Sequence, residues 1–320
     1  MHKVAFVFPG QGSQQVGMGK TLCDAFPYVR ERFAQADEAL GYSITKLCFE
    51  GPDSDLVRTE NTQPALLTCS VIAAEVLRKE LGLLPDLCAG HSLGEYTALV
   101  MADGLSFRDA VRLVHLRGRF MQQAVPVGQG AMAALVGLSG PEVKALCEEA
   151  STSDEAVQSA NENGAGQVVI SGHRPAVLRA MALAKTRGCK LVKELPVSAP
   201  FHSALMKPAA EQLASHLATL SMRPLRCPVV ANVDAEPYPY PHSDSDSVRD
   251  RLVRQVAGTV LWESCVHKLV SMGATAVLEV GPGKVLQGLL KRIVPSIALS
   301  GFFEPSQLSS VADFLRVQSA

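Results

Sequence analysis

The sequence predicts an α/β protein in which a mostly parallel sheet with helices on its faces is interrupted by a compact βαββαβ insertion. Short apolar runs of strand length alternate with longer segments whose apolar residues recur at helical spacing, both early in the chain and again after residue 199. Between Gln129 and Val197 the order changes to strand, helix, two strands, helix and strand, the ferredoxin-like arrangement of a small unit with its own core. The first pattern then resumes, so residues 127–198 are expected to be an insertion into a larger domain formed by 1–126 and 199–320.

Taken in order, Val4 to Phe8 reads as a buried first strand, ended by the turn Pro9-Gly10-Gln11-Gly12-Ser13, where the chain can approach a ligand closely. Pro64 suits a first helical position, and Leu66, Leu67, Val71, Ala74 and Leu77 follow at helical spacing until Gly82. A strand from Asp86 to Ala89 runs into Gly90-His91-Ser92-Leu93-Gly94, followed by helices from Leu93 to Met101 and from Phe107 to Ala124, the second capped by Ser106. In the insertion, strands are expected at Ala131 to Val136, Ala156 to Ala160, Gln167 to Ser171 and Lys190 to Leu195, with helices at Pro141 to Ala150 and Pro175 to Arg187. Helices then follow at Ala204 to Leu220, Val248 to Val256, Trp262 to Met272 and Lys284 to Ile293, with strands at Val229 to Val233 and Ala276 to Val280. Turn-forming and charged residues from Tyr238 to Asp246 predict an exposed loop.

With 320 residues, 47% of them hydrophobic and 19% charged, the chain can bury a large core. Its net charge of -1, without long runs of one sign, gives no electrostatic reason to expect nucleic acid or an anionic membrane as partner. The apolar run at the amino end is too short for a secretory signal, and nowhere do about 18 consecutive apolar residues occur. The eight cysteines are isolated and lack metal-site spacing, so they are expected to be reduced core residues in a cytoplasmic protein.

Gly90 to Gly94 matches the nucleophile-elbow pattern, in which a serine on a sharp strand-to-helix turn projects its hydroxyl above a sheet. Ser92 is therefore the candidate nucleophile, with the Leu93 amide placed to face a developing oxyanion; the alternative is a serine in an ordinary Gly-rich turn. A serine needs a base, and imidazole titrates near neutrality. Of eight histidines, His202 in Pro200-Phe201-His202-Ser203 stands at the return from the insertion, where chain crossing makes a cleft; a capping or surface histidine is the competing reading. His91 adjoins the serine but should point to the opposite face, while His115, His216 and His267 lie in helical patterns. Arg117 belongs either to a solvated basic face with Arg112 and Arg119 or, turned inward, to a carboxylate clamp. Gly281-Pro-Gly283 is too short for a phosphate loop, and neither Walker nor dinucleotide spacing occurs, so no nucleotide cofactor is expected.

With these residues the chain resembles the malonyl-CoA:acyl carrier protein transacylase family from Val4 to about Ile297. The resemblance rests on FPGQGSQ (Phe8 to Gln14), NTQPAL (Asn61 to Leu66), GHSLGEYTAL (Gly90 to Leu99), RGRFMQ (Arg117 to Gln122), NGAGQVVISG (Asn163 to Gly172), PFHSALMKPA (Pro200 to Ala209) and EVGPGKVL (Glu279 to Leu286). It implies an α/β-hydrolase-like large domain with the ferredoxin-like insert, and a two-step exchange of malonyl from coenzyme A to the phosphopantetheine thiol of an acyl carrier protein through an acyl-Ser92. By family pattern His202 is the base, Gln11 and the Leu93 amide line the oxyanion hole, Arg117 holds the malonyl carboxylate, and the Gln255 region orients His202 through a backbone carbonyl. The resemblance implies no cofactor or metal, and monomer is the default expectation.

Two positions depart from the family's pattern. Phe201 stands where many members have serine, and in related polyketide-synthase acyltransferases that phenylalanine accompanies malonyl over methylmalonyl preference. After Gln255 the chain reads Val-Ala-Gly-Thr-Val-Leu-Trp, where the family often has a proline before the valine. A thioester hydrolase using the same Ser92 and His202, or a docking module for carrier proteins without catalysis, remain the competing readings, and the sequence does not separate fatty-acid from polyketide synthesis.

Overall fold

The computed structural model describes residues 2–197, 199–241 and 244–319. Nine strands occur among them, in chain order β1 (Lys3–Phe8), β2 (Leu87–Gly90), β3 (Gly130–Val136), β4 (Val157–Gly164), β5 (Gln167–His173), β6 (Leu191–Glu194), β7 (Val229–Val230), β8 (Ala274–Val280) and β9 (Ala298–Phe302). Five form a wholly parallel sheet in the order β7-β2-β1-β8-β9. The other four form an antiparallel sheet in the order β4-β5-β3-β6, the ferredoxin-like arrangement.

The central strand shows why the large sheet needs helices on both sides. Side chains alternate along β1, so Val4, Phe6 and Phe8 enter one core with the helices Thr59–Leu81 and Leu93–Met101. Ala5 and Val7 enter a second core with Trp262, Cys265, Leu289 and Leu290 on the helices Trp262–Ser271 and Val285–Ile293. Both faces of a parallel sheet are thereby closed to water. A third core lies between the small sheet and its helices Gly140–Ala150 and Arg174–Thr186, built on Leu135, Val143, Leu146, Ile170, Val177 and Ala180.

Most expected elements form within a few residues of their expected limits, and Ser106 accepts from the Asp109 amide as the expected cap. The differences have local causes. The helix expected to begin at Pro64 begins at Thr59, a turn earlier. Pro64 has no N–H to offer the Glu60 carbonyl, and the His115 imidazole takes its place, with Nδ1 2.9 Å from that oxygen. β4 continues past Ala160 to Gly164 because bulges at Ser159/Asn161 and Glu162/Gly164 break the alternation on which the reading depended. β7 is only two residues long: the Asn232 amide leaves the ladder and donates to Glu95 Oε2 at 2.9 Å.

The loop expected from Tyr238 to Asp246 is exposed at Tyr240 but not at Tyr238, which is buried, and its last two residues begin the helix Ser245–Ala257. His242 and Ser243 of that loop, like Ser198 at the expected end of the insertion, lie outside the described residues. Four α-helices between Lys20 and Leu56, the strand β9 and the helix Leu308–Ser319 have no counterpart in the sequence reading. All eight cysteines are free, and seven are buried. No described helix is long and apolar enough to cross a membrane.

Candidate active site

Ser92 sits between the end of β2 and the helix Leu93–Met101 with φ 51° and ψ -105°, a conformation that costs a non-glycine residue about 1–3 kcal/mol. The surroundings hold it there. The Ser92 amide donates to Asn232 Oδ1 at 2.7 Å, and Asn232 Nδ2 donates to the Gly90 carbonyl at 2.8 Å. The flanking glycines allow the close crossing: a Cβ on Gly90 would fall 1.9 Å from the Gly94 carbonyl carbon, and one on Gly94 would fall 2.1 Å from the Phe8 carbonyl oxygen. The Leu93 amide is the first of its helix, and amides at that position have no partner within the helix.

His202, also at positive φ (57°), is buried with Nε2 2.7 Å from Ser92 Oγ. Its Nδ1 lies 2.9 Å from the Gln255 carbonyl oxygen, which can only accept, so Nδ1 carries the proton and Nε2 presents its lone pair to the serine hydroxyl. Burial, reinforced by the nearby Arg117 charge, lowers the imidazole pKa from 6.5 to about 3, so the ring is neutral. His91 lines the same cavity but is not bonded to Ser92 Oγ: its Nε2 lies 2.9 Å from Asn163 Oδ1 on the small sheet. His216 and His267 are exposed and His115 is half-buried against Tyr42.

The helix Phe107–Gln123 sets Arg117 apart from the basic face of its neighbours. Arg112 and Arg119 are exposed, while Arg117 turns inward and is only 1% exposed. Gly118 permits this, since a Cβ there would meet the Thr59 carbonyl oxygen at 2.5 Å. Arg117 Nη1 donates to Gln63 Oε1 at 2.8 Å, and Nη2 donates to Gln255 Oε1 at 2.8 Å and to Ser92 Oγ at 3.1 Å. Nε is buried without a hydrogen-bond partner, and among the described residues no carboxylate forms an ion pair with this guanidinium. Gln11 is exposed at the mouth, with Nε2 3.4 Å from Thr59 Oγ1.

These groups share a cavity of about 140 Å³, lined by Gln11, Gln63, Ser92, Leu93, Arg117, Asn161, Phe201 and His202 with Met121, Met132 and Leu195. The β4 residue Asn161 reaches it because its neighbours pair with the large domain, the Val260 amide donating to the Ala160 carbonyl at 2.8 Å. A larger cavity of about 470 Å³ opens elsewhere, rimmed by Arg78, Arg108 and Arg223, and contains none of these groups. Among the described residues no cluster of His, Cys, Asp or Glu is placed to hold a metal.

Several residues of the site had no role in the sequence reading. Gln63, Asn163 and Glu95 lay within the quoted motifs, and Glu95 carried a signal: a carboxylate on an otherwise apolar helix, fully buried in the structure. Asn232 and Tyr238 gave none, because they come from a distant segment. The Gly281-Pro-Gly283 run belongs to packing: Gly281 presses on Ser70, and Glu279 beside it accepts from the Leu286 and Gln287 amides at 3.0 and 2.9 Å.

A neutral imidazole on a serine hydroxyl, next to a helix-start amide and a buried cation, suits attack on an acyl carbonyl; with a parallel α/β sheet beneath it, the class is a serine-dependent α/β enzyme of acyl groups. Comparison with known proteins agrees. The acyl transferase domain family model matches residues 5–313. The malonyl CoA-acyl carrier protein transacylase of Escherichia coli K12 is 48% identical over 98% of this chain and 100% of its own. The solved malonyl CoA-acyl carrier protein transacylase of Coxiella burnetii superposes with a TM-score of 0.94 at 42% identity, covering 98% of each chain. A malonyl-transacylase solved in complex with its type II polyketide synthase acyl-carrier protein superposes at 0.93 with 42% identity, covering 97% of this chain and 99% of that one. The chain belongs to the acyl transferase domain family, among the malonyl CoA-acyl carrier protein transacylases.

Proposed function

We propose that the chain moves a malonyl group from malonyl-CoA to the phosphopantetheine thiol of an acyl carrier protein, supplying fatty-acid or polyketide synthesis. The observation that carries this reading is the Arg117 guanidinium, 1% exposed, without a carboxylate partner and 3.1 Å from Ser92 Oγ. A buried cation with no carboxylate bonded to it, beside a nucleophile, favours an acyl group that brings its own carboxylate.

In this reading Ser92 Oγ attacks the thioester carbonyl while His202 Nε2 takes its proton, and the imidazolium is held by the Gln255 carbonyl on Nδ1. The Leu93 amide, with Gln11 at the mouth, stabilises the oxyanion of the tetrahedral intermediate. Collapse breaks the C–S bond, and His202 protonates the departing coenzyme A thiolate. The carrier thiol then enters by the reverse sequence, losing its proton to His202 and taking the malonyl group from Ser92. Phe201 on the cavity wall narrows the space beside the acyl chain, in favour of malonyl over its methyl homologue. No cofactor is used in this scheme, and the enzyme works as a cytoplasmic monomer built from a large domain of 1–126 and 199–320 and an inserted domain of 127–198.

Mass spectrometry after brief mixing with malonyl-CoA, acetyl-CoA or methylmalonyl-CoA, followed by holo carrier protein, tests the reading. A malonyl adduct absent from Ser92→Ala and passed to the carrier is expected. An adduct lost to water instead would make the chain a hydrolase, and no adduct would leave a docking module.

A further inference from the structure

Behind Ser92 lies a buried carboxyl group to which the acyl-transfer scheme gives no role. Glu95, one turn into the helix that starts at Leu93, is 0% exposed. Its Oε2 accepts from the Asn232 amide at 2.9 Å and from Gln255 Nε2 at 2.8 Å, and its Oε1 accepts from the Tyr238 hydroxyl. Both amide side chains next to it bond the Ser92 backbone directly. Gln255 Nε2 also donates to the Ser92 carbonyl at 2.8 Å, while its Oε1 accepts from Arg117 Nη2. Asn232 Oδ1 accepts from the Ser92 amide at 2.7 Å.

We propose that Glu95 is a positioning residue for acyl transfer: by accepting from Gln255 and Asn232 it fixes the Gln255 amide orientation and the Ser92 turn, and so aims the Arg117 guanidinium. Donors must meet acceptors throughout this buried cluster. A glutamine amide has one donating and one accepting end, and the Arg117 side can only donate. With the carboxyl oxygen of Glu95 drawing Nε2 inward, Oε1 must face Arg117. The Ser92 carbonyl draws Nε2 the same way; a donor set in place of the Glu95 acceptor opposes Nε2, and a flipped amide would then set Nε2 against Nη2, donor against donor, and take the guanidinium off its register on Ser92. Asn232 is held likewise, its backbone amide tied to Glu95 and its side chain bracing both sides of the elbow through Ser92 and Gly90.

The same matching sets what the site tolerates. Glutamine at position 95 can keep its oxygen toward Gln255 and Asn232 provided its NH2 group finds an acceptor, and the Tyr238 hydroxyl can turn to accept from it. Removing that hydroxyl as well leaves the NH2 group buried without a partner, or turned against the two amides.

The inference rests on the acyl-transfer reading, and the experiment separates the two. Acylation rate, KM and the malonyl-to-acetyl ratio are measured for wild type, Glu95→Gln, Tyr238→Phe and the double variant, with circular dichroism for folding and Ser92→Ala as the reference for chemistry. Glu95→Gln and Tyr238→Phe are each expected to stay near wild type. The double variant, folded, should lose acylation rate on the order of 10- to 100-fold, mostly in kcat, together with much of its malonyl preference. If Ser92→Ala still forms the adduct, the acyl-transfer reading itself falls. If it does not, and the folded double variant keeps wild-type rate and selectivity, or Glu95→Gln alone loses as much as the double variant, the positioning role is overturned.

Discussion

Arg117 Nη2 stands 3.1 Å from Ser92 Oγ, joining a buried cation to the serine of the elbow. A malonyl carboxylate can claim this guanidinium and free the hydroxyl, whereas an acetyl group leaves it in place. Arg117→Ala is therefore expected to lower kcat/KM for malonyl-CoA by about 2–4 kcal/mol, or about 30- to 1000-fold, and to spare or raise acetyl transfer. Parallel steady-state assays with both thioesters measure this; an unchanged malonyl-to-acetyl ratio removes the clamp.

The 2.7 Å contact between Ser92 Oγ and His202 Nε2 predicts general-base dependence of the first step. Loss of the imidazole in His202→Ala should slow acylation by about 10²- to 10⁴-fold without a comparable change in KM. Rapid-quench measurement of the acyl-enzyme burst gives the rate, and a burst of normal speed would assign the proton to another group.

Two buried titrating groups of the site pull stability in opposite directions. His202 has its pKa lowered to about 3 by burial, so between 6.5 and 3 the unfolded chain binds the extra proton, and stability present above 6.5 is lost as pH falls. Glu95 has its pKa raised from 4.5 to about 7 by burial, against the hydrogen bonds that favour its charge. There the folded chain holds the extra proton, so stability present below 4.5 is lost as pH rises through 7. Denaturant titration across pH 4 to 8 should show wild type weakening relative to His202→Asn toward acid, and relative to Glu95→Gln toward neutral pH. Parallel curves in both comparisons would contradict the burial of these groups.

Gly94 lies where the elbow helix crosses β1, and a methyl group would fall 2.1 Å from the Phe8 carbonyl oxygen. Because the obstacle is backbone, relief requires moving a strand or the helix. Gly94→Ala is expected to cost about 3 kcal/mol or more and to displace Ser92 in the folded fraction. Thermal denaturation together with labelling of the serine by an active-site probe reads both effects.

The pair Pro64 and His115 offers a test away from the chemistry. The His115 Nδ1 meets the Glu60 carbonyl to which Pro64 has no N–H to donate. His115→Ala should cost about 1 kcal/mol, and less in a Pro64→Ala background where the restored N–H satisfies the same oxygen. A double-mutant cycle by denaturant unfolding measures the difference, and additivity would sever the link.

The sequence by itself determined the alternation of strands and helices, the βαββαβ order of the insertion and the Gly90-His91-Ser92-Leu93-Gly94 turn, because these are properties of neighbouring residues. Apolar spacing and glycine placement act within a few residues, so they survive reading without coordinates. It also narrowed the base to His202, since the return from an insertion is a topological feature. What it left open was orientation. Arg117 could not be turned inward or outward by helical spacing alone; packing of Gly118 on the Thr59 carbonyl decided it.

The residues behind the serine were decided by tertiary structure alone. Asn232 and Tyr238 from the segment after the short β7, and Gln255 from the helix Ser245–Ala257, meet Glu95 across more than a hundred positions of sequence. Hydrogen-bond satisfaction in a buried site depends on which donors arrive from other segments and in what direction, and no local pattern encodes that. The sequence therefore determined the elbow and its candidate base, while the folded chain decided which buried amides and which carboxyl group hold them at working distance.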